Sequence, residues 1–173
     1  HPVTEAVTGQ DLVAWQLAVA EGKPLPLTQE EVVLRGHAVE ARLYAEDVGA
    51  GFLPASGTIH WLHWPQGVRI DTGVAAGDEV SPYYDPMIAK LVVHGQSRAE
   101  AFARLADALA ALSLGPLVHN GPLLLRLCEE ADVLAMAHHT QWPIPTESLA
   151  PPTLAWPLAT LWLASRTCPS PWQ

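Results

Sequence analysis

The chain has 173 residues, 18 acidic against 9 basic side chains, and a formal net charge of −9 at neutral pH. That balance excludes a nucleic-acid surface, which needs clustered Lys and Arg against phosphate. The length allows one substantial core and at most a second small unit, and two cysteines, Cys128 and Cys168, suit a reducing compartment better than a disulfide framework.

Residues 8–21 read as a helix. Thr8 is the expected N-cap, Asp11 favours the positive end, Leu12, Trp15 and Val19 share a face, and Gly22 stops it. Pro24 and Pro26 keep the chain extended toward residues 35–47, which read as a strand. His37, Val39, Ala41 and Leu43 fall on one face; Ala38, Glu40, Arg42 and Tyr44 fall on the other. The period of two therefore sets Glu40 and Arg42 side by side. Arg42 offers a planar, permanently charged fork of donors suited to a carboxylate or an enolate oxygen. On the residues alone, a solvated salt pair is the commoner meaning of such a Glu-x-Arg strand.

Gly49-Ala50-Gly51 is a turn, and Phe52-Leu53-Pro54 is expected to tuck against the core. Residues 58–64 alternate as a strand, and residues 68–71 form a short second one, joined through Gln66-Gly67 as a tight connection. Ala76-Gly77-Asp78 is another turn, followed by Glu79-Val80. Residues 87–94 read as a buried strand with Ala89, Leu91 and Val93 on one side. Such close spacing favours antiparallel pairing. Ser97-x-x-Glu100 is a capping box opening a helix over 98–112 with Phe102, Leu105, Ala106, Leu109 and Leu112 inward, ended by Gly115-Pro116. Asn120 is the expected cap of a further helix with Leu124, Leu127 and Cys128 inward. Together these elements predict an α+β fold, a mainly antiparallel sheet flanked by helices, followed by a less ordered or helical C-terminal tail. Residues 1–135 form the main domain, 136–152 a linker and 153–173 the start of a following domain. The apolar run 154–165 is short and contains Pro157, which argues against a membrane span.

Other chemistry is weakly supported. His60 and His63 on one strand fall on opposite faces, which is poor zinc geometry, and His138-His139 has no cysteine pair nearby. There is no Gly-rich phosphate loop. Cys128 on a helix face reads as core, and neither Ser56 nor Ser81 sits in a nucleophile motif.

Several blocks, in order, carry a resemblance. They are His1-Pro2-Val3-Thr4-Glu5, Thr8-Gly9-x-Asp11-Leu12, Gly22-x-Pro24-Leu25, the strand at 35–47, Gly51-Phe52-Leu53-Pro54, and Pro82-Tyr83-Tyr84-Asp85-Pro86-Met87-Ile88-x-Lys90-Leu91. From residue 1 to about 127 the chain resembles the C-terminal domain of biotin carboxylase, as borne by the alpha subunit of acetyl-, propionyl- or 3-methylcrotonyl-CoA carboxylases. The resemblance implies an ATP- and bicarbonate-dependent ligase that carboxylates biotin on a carrier domain. Arg42 falls where the family arginine contacts biotin and stabilises its enolate, with Glu40 behind it as orienter. Asp85 and Lys90 fall in a block near the site, although Asp85 can equally hold its own turn. Arg69 falls where the family has a dimer-contacting arginine, but a plain surface arginine is the better reading.

The implied partners are a biotin carrier domain, a carboxyltransferase subunit and a second copy in a homodimer, with neither nucleic acid nor membrane. The compartment is cytoplasmic in a bacterium or the mitochondrial matrix in a eukaryote. In the family, the ligands for ATP, Mg and bicarbonate lie upstream of His1. The chain thus reads as a fragment with one wall of the biotin site, inactive on its own. The competing expectation is a non-catalytic module for dimerisation and carrier docking.

Overall fold

The computed structural model describes residues 1–146. The tail expectations beyond that point, including the apolar run 154–165 and Cys168, lie outside the described residues. Two helices open the chain, α1 (Pro2–Thr8) and α2 (Leu12–Ala20). The strands that follow are β1 (His37–Tyr44), β2 (Glu46–Asp47), β3 (Leu53–Pro54), β4 (Gly57–Thr58), β5 (Trp61–His63), β6 (Arg69–Thr72), β7 (Glu79–Val80) and β8 (Met87–Gly95). Then come α3 (Arg98–Ala111), β9 (Ser113–Gly115), α4 (Gly121–Leu127) and α5 (Ala131–Leu134). Residues 135–146 carry neither helix nor strand.

The main sheet has the order β1-β8-β6, and every strand pair in the described residues is antiparallel, as expected. Alternation decides its two faces. Ala41, Leu43, Ala89, Leu91 and Val93 point into the core, where Phe102, Leu105, Ala108 and Leu109 of α3 cover them. α1 packs on β1 and β8. The long central strand β8 is almost wholly buried because it has a neighbour on each edge and both α3 and α1 pack on it. Gly36 enters β1 at φ 63, and a side chain there would run into the carbonyl oxygen of Gly95. Only glycine suits both demands.

Several expectations need correction. The first helix is split. Its cap is Asp11, whose carboxylate accepts from the Ala14 N–H at 2.8 Å, while Thr8 ends α1 with its hydroxyl on the Thr4 carbonyl. Asp11 is the residue whose extended backbone lets its side chain reach the free amides of the next turn. Val19 is exposed rather than buried, and so are Leu53, on the short β2–β3 ladder, and Phe52 just before it. The strand expected over 58–64 divides. β4 pairs with β7, and β5 pairs with β9 rather than forming a hairpin with β6. Gly115 permits this pairing: the Trp61 ring lies where a Cβ of residue 115 would stand, so any larger residue would push the two strands apart. β6 is left to extend the main sheet along β8. α3 ends at Ala111, within one residue of the expected 112, and the chain then pairs as β9 before Pro116, a strand not expected from the sequence.

The expected capping box at α3 forms with a shift. Ser97 Oγ accepts from the Glu100 N–H at 3.2 Å, while Glu100 Oε2 accepts from the N–H of Gln96, one residue before the cap. In α4, Leu123 is buried, as is Cys128 at its C-cap, with Leu124 packed partly against the core. Asn120 stands at its N-cap position, but its side chain makes no capping bond.

Candidate functional site

The face of the main sheet away from α3 is charged. Antiparallel register puts Arg42 opposite Lys90, and Lys90 opposite Asp71. On the next rung Glu40 faces Val92, which faces Arg69. Directly opposed residues share a face with Cβ atoms about 5 Å apart. Two rungs therefore collect three cations and two carboxylates.

Arg42 Nε donates to Glu40 Oε1 at 2.8 Å. The two partners differ in exposure: the Glu40 side chain is 13% exposed and that of Arg42 58%. Glu40 is the fixed member, and the guanidinium is held along one edge while the rest of the fork meets solvent. The bond to Glu40 and its charge, with Tyr44 next along the strand, raise the Arg42 pKa further above its usual value. Arg42 thus stays a cation at every relevant pH. An arginine anchored by a carboxylate, with a lysine opposite it on the next strand, forms a place to hold an anion or stabilise one that develops.

The other expected residues fall near or apart from this pair. Asp85 Oδ1 accepts from the Met87 N–H at 2.8 Å and so closes the turn into β8. Met87 pairs with Tyr44, which brings the Asp85 turn to the Arg42 end of the sheet. Tyr83 and Tyr84 on that turn are almost fully exposed.

Arg69 is used within the chain. It forks Asp71 through Nε and Nη2, at 2.9 and 3.0 Å, and reaches Glu5 through Nη1 at 2.7 Å. Glu5 Oε1 accepts in turn from the Leu12 N–H that starts α2. An open groove of about 1220 Å3 lies between α1, residues 65–69 and α3, with Arg69 and Arg104 in its walls. It does not include Arg42 or Glu40 and is a separate feature from the charged pair.

The Arg69 guanidinium, then the Leu12 amide, hold the Glu5 carboxyl below its usual value of 4.5. A carboxyl lowered in the folded state contributes stability that is complete above its unfolded value and is lost as pH falls through the folded one. Tm should therefore drop more steeply on acidification below pH 4.5 in the native chain than in Glu5→Gln. Parallel Tm curves for the two proteins would show that the contact adds nothing to folding.

Cys128 is buried among apolar neighbours. Burial, aided by Glu129, pushes its thiol up to about 11, which is the chemistry of a packing residue rather than a nucleophile. Among the described residues no cluster of three His, Cys, Asp or Glu has the arrangement for a metal, and no helix is long and apolar enough to cross a membrane. Sequence reasoning missed Asp71 as a partner on the Arg42–Lys90 rung. It also misassigned Asn120, whose contacts are with β1. Neither had a local signal, because both placements depend on long-range register.

The family described as "Biotin carboxylase C-terminal domain" matches residues 40–143. Methylcrotonoyl-CoA carboxylase subunit alpha, mitochondrial, of Glycine max is 54% identical over 129 residues, which are 73% of the chain and 18% of that protein. Propionyl-CoA carboxylase alpha chain, mitochondrial, of Caenorhabditis elegans is 46% identical over 134 residues, 75% of the chain and 18% of that protein. Among solved structures, the biotin carboxylase domain dimer of Hydrogenobacter thermophilus 2-oxoglutarate carboxylase, in complex with MgADP, ADP and bicarbonate, superposes with a TM-score of 0.80 at 35% identity. That match covers 82% of the chain and 32% of the other. The chain spans under a fifth of the length of these curated carboxylase subunits.

Proposed function

Because the chain belongs to the biotin carboxylase C-terminal domain family, we propose that it forms one wall of the biotin site in the alpha subunit of an acyl-CoA carboxylase. The whole enzyme uses ATP and bicarbonate to carboxylate N1 of biotin presented on a carrier domain. The observation that carries the reading is the Arg42–Glu40 pair: an exposed guanidinium anchored by a covered carboxylate, with Lys90 alongside. When N1 of the ureido ring loses its proton, negative charge gathers on the ureido oxygen. Arg42 meets that charge with a donor fork already in place, so little reorganisation is needed as it develops. Glu40 holds the fork's orientation. Lys90 adds positive potential from the adjacent strand, and Asp85 fixes the turn beside it. MgATP and bicarbonate are assigned to the part of the subunit beyond this chain.

A homodimer through this domain is supported by the dimeric relative, with Arg69 and its groove as the contact face. A carrier domain and a carboxyltransferase subunit complete the assembly. The main domain is residues 1–135, followed by a linker over 136–152 and the start of the next domain at 153–173. The mitochondrial relatives favour the matrix in a eukaryote, and the cytoplasm is the corresponding place in a bacterium. The test is carboxylation of free biotin by the full-length protein that carries this chain. Turnover should require ATP and bicarbonate together, and a purified, folded full-length protein without it would overturn the reading.

A further inference from the structure

β1 lies at the edge of its sheet, and β8 satisfies only one of its sides. On the open side, at the Arg42 end, a single residue from far along the chain takes the place of a neighbouring strand. Asn120 Oδ1 accepts from the Tyr44 N–H at 2.9 Å, and Asn120 Nδ2 donates to the Arg42 carbonyl at 3.2 Å. The Asn120 backbone N–H donates to the Tyr44 carbonyl at 3.0 Å. The side-chain amide presents an acceptor to an N–H and a donor to a carbonyl, as a peptide unit of an adjacent strand would. Its orientation is dictated by those two backbone partners.

Among the described residues Asn120 is the one polar side chain in the buried class. A buried amide is costly unless bonded, and both ends of this one are spent on the residue that carries the guanidinium and on Tyr44, two positions further along the strand. Tyr44 follows a register shift between Leu43 and Tyr44, so the ladder with β8 is interrupted just where Asn120 acts.

We propose that Asn120 is a positioning residue for Arg42: it fixes the carbonyl and the following peptide of the strand, and with them the direction in which the guanidinium leaves the sheet. This rests on the reading of Arg42 as the group that stabilises charge on biotin. Glu40 steadies the guanidinium from the side-chain end; Asn120 steadies it from the main chain. A displacement of about 1 Å at such a group costs on the order of 100-fold in rate.

The experiment is a double-mutant cycle in the full-length protein: Arg42→Ala, Asn120→Ala and the two combined, with kcat for biotin carboxylation, KM for ATP and Tm recorded for each. Asn120→Ala should lower kcat roughly 10- to 100-fold, with KM for ATP within about twofold of wild type. In the Arg42→Ala background the same substitution should lower kcat by less than about twofold, because the residue it positions is gone. Asn120→Asp keeps the oxygen that Tyr44 N–H binds but loses the donor to the Arg42 carbonyl. It should show the same loss and the same dependence on Arg42, and it supplies the comparison if the alanine variant does not fold.

An equal fold-loss in both backgrounds, or a lowered Tm with full turnover, would overturn the positioning role and leave Asn120 a structural residue. If Arg42→Ala is impaired and the Asn120 loss persists beside it, only the positioning role falls. If Arg42→Ala turns over like wild type, the reading of the site falls and this inference with it.

Discussion

Arg42→Ala in the full-length protein is expected to lower biotin carboxylation roughly 100- to 1,000-fold in kcat, the scale of removing one preorganised oxyanion donor. The loss belongs in turnover because the contact strengthens as charge develops on the ureido oxygen. The guanidinium is exposed and held by Glu40 before anything binds, so it is already oriented in the ground state. Arg42→Lys should recover little. An ammonium has no planar fork, and it cannot both stay on the Glu40 oxygen and present a second donor in the same plane. ATP affinity, measured alongside, should stay close to wild type, since the nucleotide is assigned to another part of the subunit. Near-wild-type carboxylation by Arg42→Ala would return Arg42 and Glu40 to a solvated pair on a sheet face.

The second large effect is on folding. Leu91 has no exposed surface and sits in the middle of β8, between Ala41 on β1 and Ile70 on β6, with α3 packed across the strand. Truncating it removes apolar contacts and leaves a void that the strand cannot close, because ladders on both edges hold it. Leu91→Ala should cost about 2–5 kcal/mol, read as a fall in the denaturation midpoint with an unchanged slope. Val13 on α2 is 61% exposed, and Val13→Ala serves as the contrast, expected within about 0.5 kcal/mol of wild type. A Leu91→Ala cost no larger than that of Val13→Ala would mean that the core does not centre on β8.

Where a signal was local, the chain could be read directly. The alternation of residues 37–44 is enough to place Glu40 and Arg42 on one face and Ala41 and Leu43 on the other. Ser97 and Glu100, followed by an apolar stripe at helical spacing, mark α3. α1 was invisible because seven residues without a side-chain cap show too little periodicity. The pairing of β5 was misread because a turn sequence such as Gln66-Gly67 reports the bend but not the partner. The actual partner, β9, lies more than fifty positions away, where Gly115 leaves room for the Trp61 ring. For the candidate site, the Glu40–Arg42 pair follows from a separation of two. Lys90 and Asp71 join it only through register. Asn120 before Gly-Pro has the chemistry of a helix cap, and nothing local distinguishes that role from the one it takes on β1.

The bare edge of β1 also has a history during synthesis. The amide that occupies it lies 78 residues downstream of Arg42. At about 5–20 residues per second, the ribosome takes roughly 4–16 s to deliver it. Through that interval the growing chain offers unpaired amides and carbonyls, which another nascent copy can recruit as a strand. Slower delivery of the segment around residue 120 lengthens that exposure.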